Sequence, residues 1–243
     1  MFGRSTRRPL TGLALLPLSL TLLVLTAPPL APAADEPGFV SLFNGKDLSG
    51  WEGDSIHWSV QDGAITGKTT PETLIKSNTF LVWQGGQPAD FELRLKYKMV
   101  GGNSGIQYRS KLLDPAKYVV GGYQGDIDST GRYTGINYEE KGRGILAERG
   151  QKVEINADGK KNVVATLGDK DALLKQINAN DWNDYVITAR GNHLTHVING
   201  ATMSEVIDNQ PSKAATSGII ALQLHVGPPM TIQFKEIRIK EMK

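Results

Sequence analysis

The amino-acid sequence predicts an all-β fold in which two antiparallel sheets pack as a sandwich, or jelly roll, with one short helix. Three observations support this prediction. Residues 91–99 alternate strictly between apolar and polar side chains, three strand-like runs between 184 and 207 are joined by short turns, and no helices alternate with the strands. A doubly wound parallel sheet requires such helices, so that architecture is excluded.

Residues 91–99 are the clearest predicted strand. A period of two along the chain places alternate side chains on opposite faces, which is typical of an antiparallel sheet with one buried and one solvated face. The apolar face consists of Phe91, Leu93, Leu95, Tyr97 and Met99, and the polar face of Glu92, Arg94, Lys96 and Lys98.

Short Gly and Asn turns predict two further groups of antiparallel strands. Runs 184–190, 193–198 and 201–207 form a meander, with Asn199-Gly200 as a type I′ turn because both residues tolerate positive φ. Runs 58–60 and 64–66 form another hairpin. The last strand contains a change of phase between Phe234 and Ile237, which predicts a β-bulge at 235–236.

Only one helix is predicted, over residues 171–177. Leu173, Leu174 and Ile177 lie on one side of it, and Asp169 or Asp171 is the N-cap.

The first 33 residues have the pattern of a secretory signal peptide. Arg4, Arg7 and Arg8 precede an apolar run over 10–30, and Ala31-Pro32-Ala33 offers a cleavage site. A membrane anchor is the alternative, but prolines interrupt the run and no basic stop-transfer cluster follows. The general and twin-arginine export routes both stay open. We therefore expect a mature chain of residues 34–243, folded as one domain in a bacterial periplasm or secreted, with no membrane span after cleavage.

Charge and composition narrow the classes of partner. Removing the three arginines of the signal from 27 basic residues leaves 24, against 25 acidic residues. This balance gives no reason to expect nucleic acid or an anionic membrane surface as a partner. The chain has no cysteine, so neither disulfides nor thiolate chemistry are available.

Polar side chains recur on one face of three predicted strands, 104–110, 123–128 and 218–226. These strands would line a shared cleft if they are neighbours, and the alternative is that their faces meet bulk water. Amides outnumber lysines there, which favours the cleft. The candidates are Gln107, Arg109, Gln124, Asp126, Asp128, Gln223 and His225, with Asn103 and Tyr123 at the ends of the runs.

Such a cleft suits a carbohydrate, because sugar hydroxyls bind amides and carboxylates while ring faces stack on aromatic side chains. For each single aromatic residue, packing in the core is the favoured explanation. The stacking candidates are Trp51, Trp83, Tyr108, Tyr118, Tyr123, Tyr133 and Tyr138.

Three carboxylates are candidates for chemistry. Asp126 and Asp128 could hold a divalent metal such as Ca²⁺ or act as acid and base, although Asp128 could equally be a turn residue. Glu148 is a third candidate, or else a solvated strand end. His193 and His196 alternate in a strand and cannot chelate one ion, so we interpret them as surface and edge histidines. The Glu-x-Asp-x-x-Glu motif of retaining glucanases is absent, as are phosphate-loop and zinc-protease motifs.

The chain resembles the 3-keto-disaccharide hydrolase domain family. The resemblance begins at Phe39-Val40-Ser41-Leu42-Phe43-Asn44-Gly45 and runs through Asn103-Ser104-Gly105-Ile106, Tyr123-Gln124, Trp182-Asn183-Asp184-Tyr185 and Leu222-Gln223-Leu224-His225. It implies a concanavalin A-like lectin/glucanase jelly roll that acts on glycosides oxidised at C3. A non-catalytic carbohydrate-binding module of the same fold is the rival interpretation.

A C3 ketone suggests roles for the candidates. The ketone acidifies the proton on C2, so a base can remove it, an enolate forms and the C1 substituent leaves, after which water can add. We assign His225 or Asp126 as base, Arg109 or a divalent metal as enolate stabiliser, and Asp128 or Glu148 as acid.

Overall fold

The computed structural model describes residues 1–3 and 37–242. The predicted signal peptide falls almost wholly on residues 4–36, outside the described residues, and it stays a prediction. Within the described part of the chain, no helix is long and apolar enough to cross a bilayer.

Residues 37–242 fold mainly as β-strands, which confirms the predicted fold class. In chain order the strands are β1 (Val40–Ser41), β2 (Trp51–Glu52), β3 (Trp58–Gln61), β4 (Ala64–Thr69), β5 (Thr79–Trp83), β6 (Phe91–Val100), β7 (Asn103–Asp114), β8 (Val119–Asp128), β9 (Asn137–Glu140), β10 (Gly144–Ala147), β11 (Gln151–Ile155), β12 (Lys161–Thr166), β13 (Asn183–Arg190), β14 (His193–Ile198), β15 (Ala201–Asp208), β16 (Ile219–Leu224) and β17 (Met230–Glu241).

These strands form two sheets. The ten-stranded sheet has the order β12-β11-β15-β14-β13-β6-β17-β4-β3, with β1 beside β17. The seven-stranded sheet has the order β10-β9-β8-β7-β16-β5-β2. All described pairs are antiparallel except β11 with β15, a parallel pair that the sequence did not predict.

The core lies between the two sheets. Every second residue of β6 is buried, as its alternation predicts, and these side chains pack with apolar residues of β7, β8 and β16 in one cluster. The predicted bulge is confirmed, because the pairing of β17 with β6 shifts between Lys235 and Arg238 and Glu236 has φ +52°. Phe234 and Ile237 are therefore both buried.

The local predictions also hold in the hairpins and, in part, in the helix. Asn199 and Gly200 both have positive φ in the turn between β14 and β15. Helix α1 (Lys170–Leu174) is shorter than predicted. Its N-cap is Asp169, whose carboxylate accepts the backbone N–H groups of Asp171 and Ala172.

The prediction for His196 is wrong. Its ring is fully buried between the sheets, where Nε2 lies 2.9 Å from the hydroxyl of Tyr108. Burial lowers the pKa of His196 to about 3, so the ring is neutral. His193, on the opposite face of β14, is partly exposed and pairs with Glu205 at 2.8 Å.

Candidate functional site

A cavity of about 580 Å³ opens on the outer face of the seven-stranded sheet, the face turned away from the ten-stranded sheet. This volume is in the range of small-molecule sites. The polar side chains that line it and that matter below are Asn103, Gln124, Asp126, Tyr138, Glu140 and His225.

Strand register brings these side chains together. On β8, Gln124 and Asp126 share the outer face, while Tyr123 and Ile127 point into the core. Gln124 is opposite Tyr138 of β9 on one side and Gln107 of β7 on the other. Neighbouring antiparallel strands therefore turn their polar residues into one hollow, as the sequence predicted for part of the set.

Asp126 is the most perturbed acidic group of the cavity. It is only 6% exposed, and its Oδ1 accepts a hydrogen bond from Asn103 Nδ2 at 2.8 Å. Its Oδ2 accepts one from Gln124 Nε2 at 3.3 Å. Burial raises the pKa of Asp126 to about 7, the two amide hydrogen bonds oppose that rise, and the charge of Asp128 adds to it. A carboxylate of this kind exchanges protons near neutral pH.

Tyr138 and Glu140 of β9 line the same cavity, opposite Gln124 and Gly122 of β8, and Glu140 was not among the residues predicted from the sequence. Glu140 is 7% exposed and accepts a hydrogen bond from Asn78 Nδ2 at 3.3 Å. Burial and the charges of Glu140 and Asp126 raise the pKa of Tyr138, so its hydroxyl keeps its proton. The spacing of these two residues, i and i+2 in a short run, was the signal that could have found them.

His225 lies at the end of β16 and lines the cavity. Its Nδ1 is 2.6 Å from the carbonyl oxygen of Val226. Since a carbonyl only accepts, Nδ1 donates this hydrogen bond and Nε2 is left as the nitrogen for other partners. The loop is held by Asn78, which accepts the backbone N–H of Val226 at 2.9 Å.

Asp128 lines the cavity but is committed to its own loop. Its Oδ2 accepts hydrogen bonds from Thr130 Oγ1 at 2.6 Å and from the backbone N–H of Tyr133 at 3.2 Å. Its Oδ1 accepts the backbone N–H of Thr130. This is the turn-residue alternative that the sequence left open. Among the described residues, no group of three His, Asp or Glu side chains could hold a metal ion.

The prediction that Arg109 shares this face is wrong. Arg109 has φ +46°, and the pairing of β7 with β8 shifts between Tyr108 and Lys111. This irregularity ends the alternation on which the prediction rested. The guanidinium is buried elsewhere, where Nη2 donates a hydrogen bond to Asp90 at 2.8 Å and Nε donates one to the carbonyl oxygen of Ala89 at 2.7 Å. Arg109 therefore does not face Asp126.

Three other candidates do not line the cavity. Tyr123 points into the core, where it stacks on Tyr108 with ring centroids 5.7 Å apart and donates to Asp208. Glu148 does not line the cavity and pairs with Arg132 at 3.3 Å. Gln223 is fully buried on β16, and its side-chain nitrogen and oxygen have no hydrogen-bond partner in the structure.

Gln107 and the aromatic candidates lie at different depths relative to the cavity. Gln107 is fully buried beneath the cavity and donates from Nε2 to Gln124 Oε1 at 2.6 Å. Of the aromatic residues proposed for stacking, Tyr133 and Tyr138 line the cavity, and Trp51 and Tyr108 are core residues.

Comparison with known proteins agrees with this fold. A family model for the 3-keto-alpha-glucoside-1,2-lyase-like domain matches residues 38–240. A search of curated proteins by sequence finds no match.

Three solved structures are similar in fold. A candidate glycosyl hydrolase from Parabacteroides distasonis ATCC 8503 has a TM-score of 0.56 at 20% identity and covers 85% of this chain and 94% of its own. Carbohydrate-binding module CBM66 from Bacillus subtilis has a TM-score of 0.51 at 13% identity, with coverages of 79% and 96%. A Bacillus subtilis protein with a galectin-like fold has a TM-score of 0.52 at 11% identity, with coverages of 80% and 90%.

Proposed function

Because the chain belongs to the 3-keto-alpha-glucoside-1,2-lyase-like domain family, we propose that it is a carbohydrate-active enzyme that cleaves glycosides oxidised at C3, with Asp126 as the base. One observation carries the assignment of the base. A nearly buried carboxylate with a pKa of about 7 lies in the wall of a cavity large enough for a sugar.

The reaction needs no carboxylate nucleophile. Asp126 takes the proton from C2, which the C3 ketone acidifies, and the electron pair of that C–H bond becomes part of an enolate. The enolate then forms a C1=C2 double bond as the C1–O bond breaks, and the leaving oxygen takes a proton. Addition of water across that double bond completes a net hydrolysis.

The other cavity residues fit the remaining demands of this reaction. With Arg109 bonded elsewhere, we assign the Tyr138 hydroxyl, which keeps its proton, as the hydrogen-bond donor to the enolate oxygen. His225, when both of its ring nitrogens carry a proton, supplies the proton on Nε2 to the leaving oxygen, because Nδ1 is bonded to Val226 and because Asp128 and Glu148 are held by Thr130 and Arg132. Asn103 and Gln124 hold the carboxylate of Asp126 in place.

One further proposal accompanies this assignment. We infer from the predicted signal peptide that the activity lies in a bacterial periplasm or outside the cell, and the N-terminal residue of the mature protein tests it. The divalent cation that the sequence left open has no place in this mechanism, because Asp128 is bonded to Thr130 and Tyr133 of its own loop and a cation on Asp126 would keep that carboxylate ionised.

The test of the enzyme proposal is turnover of a nitrophenyl 3-keto-α-glucoside beside its unoxidised parent. We expect release of nitrophenol from the keto compound only. Asp126→Asn should lower the rate at least about 100-fold, while Asp184→Asn, an exposed carboxylate on the ten-stranded sheet, should not change it.

Two outcomes contradict the proposal. Full activity of Asp126→Asn removes the assigned base. Binding of both sugars by calorimetry without any turnover supports the rival function, a carbohydrate-binding module, which the likeness to CBM66 and the amide-lined cavity favour next.

A further inference from the structure

A chain of buried amides extends from Asp126 into the sheet. Gln124 Nε2 donates to Asp126 Oδ2, and Gln124 Oε1 accepts from Gln107 Nε2 at 2.6 Å. Gln107 Oε1 in turn accepts from Ser110 Oγ at 2.7 Å. Gln107, Ser110 and Gln124 are each at most 2% exposed, so water does not compete for these bonds.

The direction of every hydrogen bond in this chain follows from the ionised carboxylate. A carboxylate only accepts, so Gln124 must turn its NH₂ group toward Asp126, which leaves its oxygen for Gln107. Gln107 must then donate with its own NH₂ group, which leaves its oxygen for the hydroxyl of Ser110. The charge state of Asp126 therefore fixes the orientation of the Gln107 amide and of the Ser110 hydroxyl, although neither is bonded to Asp126.

Two glycines make room for the chain. A Cβ atom on Gly105 would lie 2.4 Å from Cδ of Gln124, and one on Gly122 would lie 2.5 Å from Oγ of Ser110. Gly122 also has φ +146°, a conformation that side chains rarely adopt. Glycine at these two positions therefore leaves space at both ends of the amide chain.

The chain has a second arrangement in which every group is satisfied. When Asp126 takes a proton, its hydroxyl can donate to Gln124 Oε1 if the Gln124 amide turns over. Gln107 then turns as well and donates to Ser110 Oγ. The Ser110 hydroxyl rotates to the carbonyl of Tyr108, which is already 3.0 Å from Oγ. No proton moves along the amides, since only their orientations change.

We propose that Gln124, Gln107 and Ser110 are positioning residues that invert together when Asp126 gains or loses a proton, so that both states of the base are held in one place. This inference rests on the proposed role of Asp126 and deepens it. During the reaction the proton leaves C2 for Oδ2 of Asp126, and the inverted amides hold the resulting acid until it releases that proton.

Other titratable groups line the same cavity. Asp128 lies two residues after Asp126 on β8 and its charge raises the Asp126 pKa, and Tyr138, Glu140 and His225 line the cavity with it. None of these is bonded to the side chain of Gln107, so a response of Gln107 reports the amide chain.

The test is a pH titration of the free protein by NMR, following the Asp126 carboxyl carbon and the glutamine side-chain NH₂ groups. We expect the NH₂ signals of Gln107 to shift with the same midpoint as the Asp126 carboxyl, although the two are not in contact. Gln233, on the ten-stranded sheet, is the control that should not follow it. A Gln107 signal that does not move through the Asp126 midpoint overturns the proposal.

Gln124→Met supplies the second arm. It removes the amide from both states of Asp126, and because the bond to the ionised carboxylate is the stronger one, the Asp126 pKa should rise by about 1. The Gln107 signal should stop titrating. The midpoint of the kcat/KM–pH profile, which reports the free protein, should move by the same amount. If Gln107 follows Asp126 in the free protein but Asp126→Asn keeps full activity, the chain stands and the proposed base fails. If the Gln107 signal does not move and Asp126→Asn is inactive, the proposed base stands and the amide chain fails.

Discussion

Replacing Asp126 with Asn should change how the stability of the protein depends on pH. The pKa of Asp126 is about 7 in the folded protein, against 3.8 for an ordinary aspartate. Between those values the folded state binds more protons than the unfolded state, so the free energy of unfolding falls as pH rises from about 4 to about 7. The difference of about 3 in pKa corresponds to ~4 kcal/mol.

An asparagine at this position cannot ionise, so the variant should lack this loss. Urea unfolding followed by tryptophan fluorescence, at about pH 4 and about pH 8, gives the free energy at each pH. We expect the variant to gain roughly 4 kcal/mol relative to the original protein between the two conditions. The two proteins must be compared at each pH, because the buried His196 lowers the stability of both as pH falls below 6.5. The difference between the two proteins removes this effect.

Asp184→Asn is the matched control for this experiment, since it removes an exposed carboxylate from the other sheet. Its stability should follow the original protein at both pH values. If the free energies of unfolding of Asp126→Asn and of the original protein change equally with pH, Asp126 titrates as an ordinary aspartate and its pKa is not raised by burial.

Three more outcomes follow from the same structure. The kcat/KM of cleavage should rise with pH through a midpoint near the Asp126 pKa of about 7, and kinetics across that range check it. Gly105→Ala should displace Gln124 and raise the pKa of Asp126. Gly53→Ala is the control, because its Cβ would lie 2.8 Å from a Leu81 methyl group and should destabilise the fold without changing that pKa. Carboxyl NMR measures the Asp126 pKa in both variants. His196→Gln should remove a loss of up to ~5 kcal/mol on acidification from pH 6.5 toward pH 3, measured by urea unfolding, and an unchanged acid limb would contradict the buried neutral ring.

Much of the fold was predictable from local patterns. The alternation of β6, the Asn199-Gly200 turn and the change of phase in β17 each depend on near neighbours in the chain. The parallel pairing of β11 with β15 was not predictable in this way, since no residue in either strand specifies a partner about fifty positions away.

The candidate site was predictable only where strands are regular. Gln124 and Asp126 share the outer face because β8 alternates without interruption there. The same rule failed for Arg109, where one residue of positive φ interrupts β7. The burial of His196 was misjudged from its residue type, because Leu194 and Ile198, two positions to either side, lie on the same face of β14 and are buried with it.

The proposed function depends on one step, in which Asp126 removes the proton from C2 of a 3-keto sugar. A 3-keto C-glycoside has carbon in place of the glycosidic oxygen at C1, so in deuterium oxide it isolates this step from glycosidic cleavage. Proton NMR should show that the protein exchanges the C2 hydrogen for deuterium and that Asp126→Asn does not. Equal exchange by both proteins, or none by the unaltered protein, would contradict the account.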